Sequence, residues 1–87
     1  MKFVMYKSPG GNLCVVNVAF YDYLVARQGK GGGWEVVAFQ GTDQSGLTCL
    51  ILRTFPTQEE AESCLRELMA RLALETVVDI TEVLGNA

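Results

Sequence analysis

Phe55-Pro56-Thr57-Gln58-Glu59-Glu60-Ala61-Glu62-Ser63-Cys64-Leu65-Arg66-Glu67-Leu68-Met69-Ala70-Arg71-Leu72-Ala73 is the stretch on which the fold turns. Thr57 and Glu60 fit a capping box, in which the threonine hydroxyl accepts from an early helical N–H and the glutamate reaches back. Pro56 stands just before the helix begins, and Glu59, Glu60 and Glu62 crowd the positive end of the helix dipole. Ala61, Cys64, Leu65, Leu68, Met69, Leu72 and Ala73 then recur at three- and four-residue spacing, a continuous apolar stripe. Glu62–Arg66 and Glu67–Arg71 form i,i+4 pairs in the favourable order, each contributing roughly 0.2–0.5 kcal/mol. The spacing predicts one amphipathic helix over 57–73.

Upstream, Trp34 to Gln40 and Leu47 to Phe55 are rich in β-branched and aromatic residues, and the turn formers Gly41 to Gly46 lie between them. Gly29-Lys30-Gly31-Gly32-Gly33 is a second turn, across which Tyr23 to Gln28 mirrors the Trp34 strand. These stretches predict a meander near 22–28, 34–40 and 47–55. Lys2 to Lys7 alternates as a strand, and Ser8 to Asn12 turns the chain into Leu13 to Phe20. That segment has a helical stripe in Leu13, Val16, Phe20, Tyr23 and Leu24. Its valines and aromatics favour instead a strand bent near Tyr21-Asp22. Thr76 to Leu84 reads as a strand, or as a short helix capped by Asp79. The expectation is an α+β fold: an antiparallel sheet of four to five strands with the helix on one face, in ββββαβ order. All 87 residues form one small domain, with no repeat or linker.

The central strands carry an apolar excess. Trp34, Val36 and Ala38 share one face of their strand, and Val37 and Phe39 the other. In the next strand Leu47, Cys49, Ile51 and Phe55 share a face interrupted by Arg53, with Leu50 and Leu52 opposite. A sheet with one wet face should alternate apolar and polar residues. One helix of about 25 Å covers a single face. The second face then needs either the N-terminal strands, curled over as a half-barrel, or a second copy of the chain. Exposed apolar patches beyond a few hundred Å² are rare on monomers, which favours a homodimer formed by sheet faces or by an edge strand at 2–7 or 76–84.

Chemistry is harder to find. Hydrophobic residues make up 49 % of the chain, which argues against disorder. The longest apolar stretch, Leu13 to Ala26, contains Asn17 and Asp22 and falls short of the roughly 20 residues of a membrane span. Lys7 to Gly11 cuts off any signal-peptide core, so the expected location is cytoplasmic and off the membrane. Cys14, Cys49 and Cys64 are odd in number and widely spaced, and histidine is absent, so neither a disulfide framework nor a zinc site is indicated. The Gly29–Gly33 run lacks the Lys-Ser/Thr ending of a phosphate loop. The helix glutamates read as a solvated face, and no base is spaced to activate a nucleophile. No catalytic residue, metal ligand or cofactor is expected, and the chain reads as a non-enzyme.

The alternative is weak binding of single-stranded nucleic acid, since aromatic residues on a sheet can stack bases. Residues 1–55 carry Lys2, Lys7, Arg27, Lys30 and Arg53 against Asp22, Glu35 and Asp43, a net of +2. Residues 56–87 carry Arg66 and Arg71 against seven acids, so the whole chain is at −3. Phosphate neutralisation dominates such affinities, and +2 is feeble. The favoured expectation is a small non-catalytic binding or assembly module, a homodimer or the ligand of another protein. Its candidate interaction surface is Tyr21, Tyr23, Trp34, Val36 and Phe39.

Overall fold

Two tight turns set the strand pairing. At the first, Ser8 N–H donates to the Asn12 carbonyl (2.9 Å), and Gly11 takes φ +85°, a left-handed conformation open to a residue without Cβ. At the second, Gly29 N–H donates to Gly33 O (2.7 Å), with Gly32 at φ +87°. The structure, a computed structural model, describes residues 2–40 and 49–83. The expected turn at Gly41–Gly46 and the start of its following strand, Leu47-Thr48, lie outside them. Among the described residues the order is β1 (Phe3–Lys7), β2 (Leu13–Asn17), a 3₁₀ turn (Val18–Phe20), β3 (Tyr23–Gln28), β4 (Trp34–Phe39), β5 (Cys49–Phe55), α1 (Gln58–Leu72), β6 (Val77–Asp79) and a second 3₁₀ turn (Ile80–Glu82).

The fold is α+β with one helix, but the single antiparallel sheet of four to five strands is corrected. Among the described residues six strands form two three-stranded sheets, β2-β1-β6 and β3-β4-β5. The second is the expected meander, antiparallel throughout. In the first, β1 pairs antiparallel with β2 and parallel with β6. The 2–7 segment is thus a central strand and not an open edge. What splits the sheets is the 3₁₀ turn, where Asn17 Oδ1 accepts from Ala19 N–H (2.9 Å) and ends β2 earlier than the expected bend at Tyr21-Asp22. At the C-terminal side both readings hold in part: a three-residue strand is followed by a turn capped by Asp79, whose Oδ1 accepts from Thr81 N–H (2.9 Å).

Helix α1 matches its expected span within a residue at each end. Thr57 Oγ1 accepts from Glu60 N–H (3.2 Å). The helix packs on β3, β4 and β5. It buries Ala61, Cys64, Leu68 and Leu72, a narrower stripe than expected, because Leu65 is half-buried and Met69 and Ala73 are exposed. Among the described residues neither expected ion pair forms. Glu62 accepts from Gln58 instead, and Arg71 pairs with Glu75 (3.4 Å). These are exposed contacts, where alternative partners differ little in energy.

A β-bulge between β4 and β5 corrects the assignment of faces. Val37 pairs with Ile51 while Val36 pairs with Arg53, so Leu52 is the extra residue. The bulge shifts the phase of alternation, placing Leu50, Leu52 and Phe55 together on the helix side with Leu24, Ala26, Val36 and Ala38. The other sheet closes this core with Val4, Val16 and Val78. Arg53, which interrupts the apolar pattern in the sequence, is carried to the same side and donates to the backbone carbonyls of Ile80 and Val83.

Candidate functional site

Once α1 covers one face of β3-β4-β5, its other face is left with Tyr23, Val25 and Arg27 from β3, Glu35, Val37 and Phe39 from β4, and Cys49, Ile51 and Thr54 from β5. The pairing register brings Tyr23 opposite Phe39 and Arg27 opposite Glu35. The Tyr23 and Phe39 rings stack, with centroids 5.2 Å apart and planes 13° off parallel. Arg27 lies over the Phe39 ring, 5.0 Å from its centroid, and its Nε meets Glu35 Oε1 at 2.9 Å. The same guanidinium donates to Cys49 Sγ (3.6 Å). The hydrogen bond that Arg27 donates to Glu35 raises the Arg27 pKa further, so this cation is permanent. Val37 is fully buried, whereas Ile51 and Tyr23 are exposed.

The five residues expected as one interaction surface do not lie together. Tyr23 and Phe39 are on this open face. Trp34 and Val36 point to the helix side, and Val36 is fully buried in the core, so it is corrected from a surface residue to a core residue. Tyr21 packs partly against the core and lines a groove of about 420 Å³ with Val18, Tyr23, Leu65, Met69 and Leu72. The physical reason is pleating: residues 34, 36 and 39 on one strand cannot share a face. The Arg27–Glu35 pair was missed, although folding the strands symmetrically about the Gly29–Gly33 turn places those two residues opposite one another.

A second apolar surface is the outer face of β2-β1-β6. Val4 and Val16 point inward, so Phe3, Met5, Leu13, Val15 and Val77 point out, and Leu13, Val15 and Val77 are well exposed. The three cysteines are free thiols, with Cys64 buried and its pKa raised by that burial. Among the described residues no three His, Cys, Asp or Glu side chains lie close enough together to hold a metal ion. None of the described helices is long and apolar enough to cross a membrane. Comparison of the chain with protein-family models, with curated proteins and with solved structures found no match in any of the three.

Proposed function

We propose that the chain is a non-catalytic binding or assembly module that works as a homodimer in the cytoplasm. One observation carries the reading. Both sheets keep an apolar face turned away from the shared core, with Leu13 and Val15 at 58 % and 59 % exposure and Tyr23 at 50 %. Faces of this kind on a small domain mark contact with another macromolecule, and a self-complementary patch serves both copies of a symmetric pair. Three free thiols suit a reducing compartment. Sedimentation across the micromolar to millimolar range tests the assembly. A mass that climbs from 9.5 kDa toward twice that value supports it, and a constant 9.5 kDa species removes it.

The Tyr23–Phe39 stack with Arg27 over it supports a second reading, a platform for single-stranded bases. Against it, Arg27 is already neutralised by Glu35, and the Phe39 ring already has Tyr23 stacked on it and Arg27 over it. Titration of labelled single strands at low salt separates the readings. Binding that weakens steeply with salt favours the platform, and none at micromolar concentration discards it.

A further inference from the structure

We propose that two copies of this chain pair through β2, antiparallel about a two-fold axis at Val15, fusing two three-stranded sheets into one of six strands. The proposal rests on the homodimer reading above but assigns the contact to a strand edge, which leaves the outer apolar face of each copy uncovered. Among the described residues β2 pairs with β1 alone, and its other side is a free edge.

The backbone phase of that edge follows from its two ends. Ser8 N–H donates to Asn12 O, and Val18 N–H donates to Lys2 O. In an antiparallel ladder, hydrogen-bonded pairs alternate with non-bonded ones. The bonded pairs between these ends are therefore Tyr6 with Cys14 and Val4 with Val16. Leu13, Val15 and Asn17 direct their N–H and C=O groups away from β1, and among the described residues no hydrogen bond to those backbone groups is found. An edge like this is normally protected by lysine, proline, a bulge or a covering element. None of these lies within β2, and residues 10–21 carry no charge.

The occupant that fits is a second β2. A two-fold axis perpendicular to the sheet keeps the outer face outside in both copies. It must also match residues that offer outward backbone groups, so odd positions meet odd positions. Centring on Val15 pairs Val15 with itself and Leu13 with Asn17, and is the choice that keeps all five residues of β2 paired. Three bonded pairs then supply about six backbone hydrogen bonds. The absence of charge means that the strand does not repel its own copy at any position. The exposed Leu13 and Val15 side chains of both copies merge with Phe3 and Met5 into one apolar stripe. A strand of about 17 Å buries less than the roughly 1,200 Å² of a tight dimer, so the pairing is reversible. Phe20, 67 % exposed just beyond the strand, extends the contact.

The test uses the full chain with Cys14 and Cys49 replaced by serine. In Val15→Cys the two new thiols face each other across the axis. Directly opposite Cα atoms in a bonded pair are about 5.5 Å apart, within the disulfide range of about 4.4–6.8 Å. In Leu13→Cys the two copies are four residues apart along the strands, about 13 Å, and cannot bridge. Mild oxidation should link Val15→Cys into a covalent dimer and leave Leu13→Cys monomeric. In the otherwise unaltered chain, Val15→Lys should raise the dimer dissociation constant at least tenfold with an unchanged circular dichroism spectrum. If the native chain dimerises but Val15→Cys does not link, or Leu13→Cys links instead, the β2 edge is wrong and another surface forms the dimer. If the native chain sediments as a monomer at millimolar concentration, the homodimer reading falls and takes this proposal with it.

Discussion

Replacing Arg53 by methionine should loosen the C-terminal turn from the sheet. Arg53 Nη1 donates to Ile80 O at 2.9 Å and to Val83 O, and its guanidinium lies 4.8 Å above the Phe55 ring. Ile80 and Val83 are fully buried, so water does not readily replace the lost donors. Hydrogen bonds from a charged donor contribute about 1.5–3 kcal/mol each, and a cation over a ring about 0.5–1 kcal/mol. Two effects pull the cost below that sum. Each carbonyl retains another donor, since Val83 N–H also reaches Ile80 O (3.2 Å) and the Cys64 thiol reaches Val83 O (3.7 Å). Methionine also keeps most of the apolar stem and removes the need to desolvate a guanidinium. A net loss of about 2–3 kcal/mol follows, a large share of the roughly 4–13 kcal/mol expected for a domain of this size. Urea unfolding followed by fluorescence of Trp34, the single tryptophan, measures it as a lower midpoint with unchanged slope. Lysine at the same position should recover part of the loss, because it supplies charge without the planar fork. A methionine variant within about 0.5 kcal/mol of the native chain would refute the reasoning, because that is the range of ordinary surface changes.

Four further outcomes are expected. Thr57→Ala should cost about 0.5–2 kcal/mol by removing the acceptor for Glu60 N–H, read as a lower urea midpoint. Leu68→Ala should cost about 2–5 kcal/mol, whereas its helical neighbour Met69, 52 % exposed, should tolerate alanine at a small fraction of that; similar costs would mean that the helix buries a different face. Cys64 should resist alkylation in the folded chain while Cys14 and Cys49, both partly exposed, react. Burial raises the Cys64 pKa in the fold above its ordinary value of 9.0, and burial likewise raises Tyr6 above 10.0. A raised folded-state pKa leaves stability intact below the unfolded value and removes it above, so thermal melts should fall as pH climbs past about 9.

How far the sequence was legible depended on the range of the interaction. The helix was readable to within a residue at each end because its determinants are local: Thr57 for the cap, and the spacing of Ala61, Cys64, Leu68 and Leu72 for the buried stripe. The β3–β4 hairpin was readable because Gly29–Gly33 marks its turn. The division into two sheets was not, because it depends on a bond between Asn17 and Ala19 that breaks an otherwise continuous run of strand formers. The bulge at Leu52 was equally hidden, and missing it assigned Phe55 to the wrong face. The placement of the five candidate surface residues was half legible. Tyr23 and Phe39, singled out for their aromatic character, do share a face and stack. Trp34 and Val36 were included only because large apolar residues look alike whether they face a partner or a core. Arg27 and Glu35 were overlooked because an ion pair between strands shows in the sequence only after the register is drawn.

The parallel pairing of β1 with β6 has a consequence for how the chain acquires its structure. Phe3 lies beside Val77, and Lys2 Nζ donates to Glu75 O at 3.0 Å, so contacts near one terminus are completed by residues near the other. Pairings this distant raise contact order and slow folding, because the loop must close before the contact stabilises anything. On a ribosome elongating at roughly 5–20 residues per second, β1 is synthesised about 4–15 s before β6 emerges. Throughout that interval the β1–β2 hairpin presents two unpaired strand edges instead of one. The meander and helix are built from near neighbours and need no such wait, whereas the open side of the early hairpin is filled only when β6 arrives.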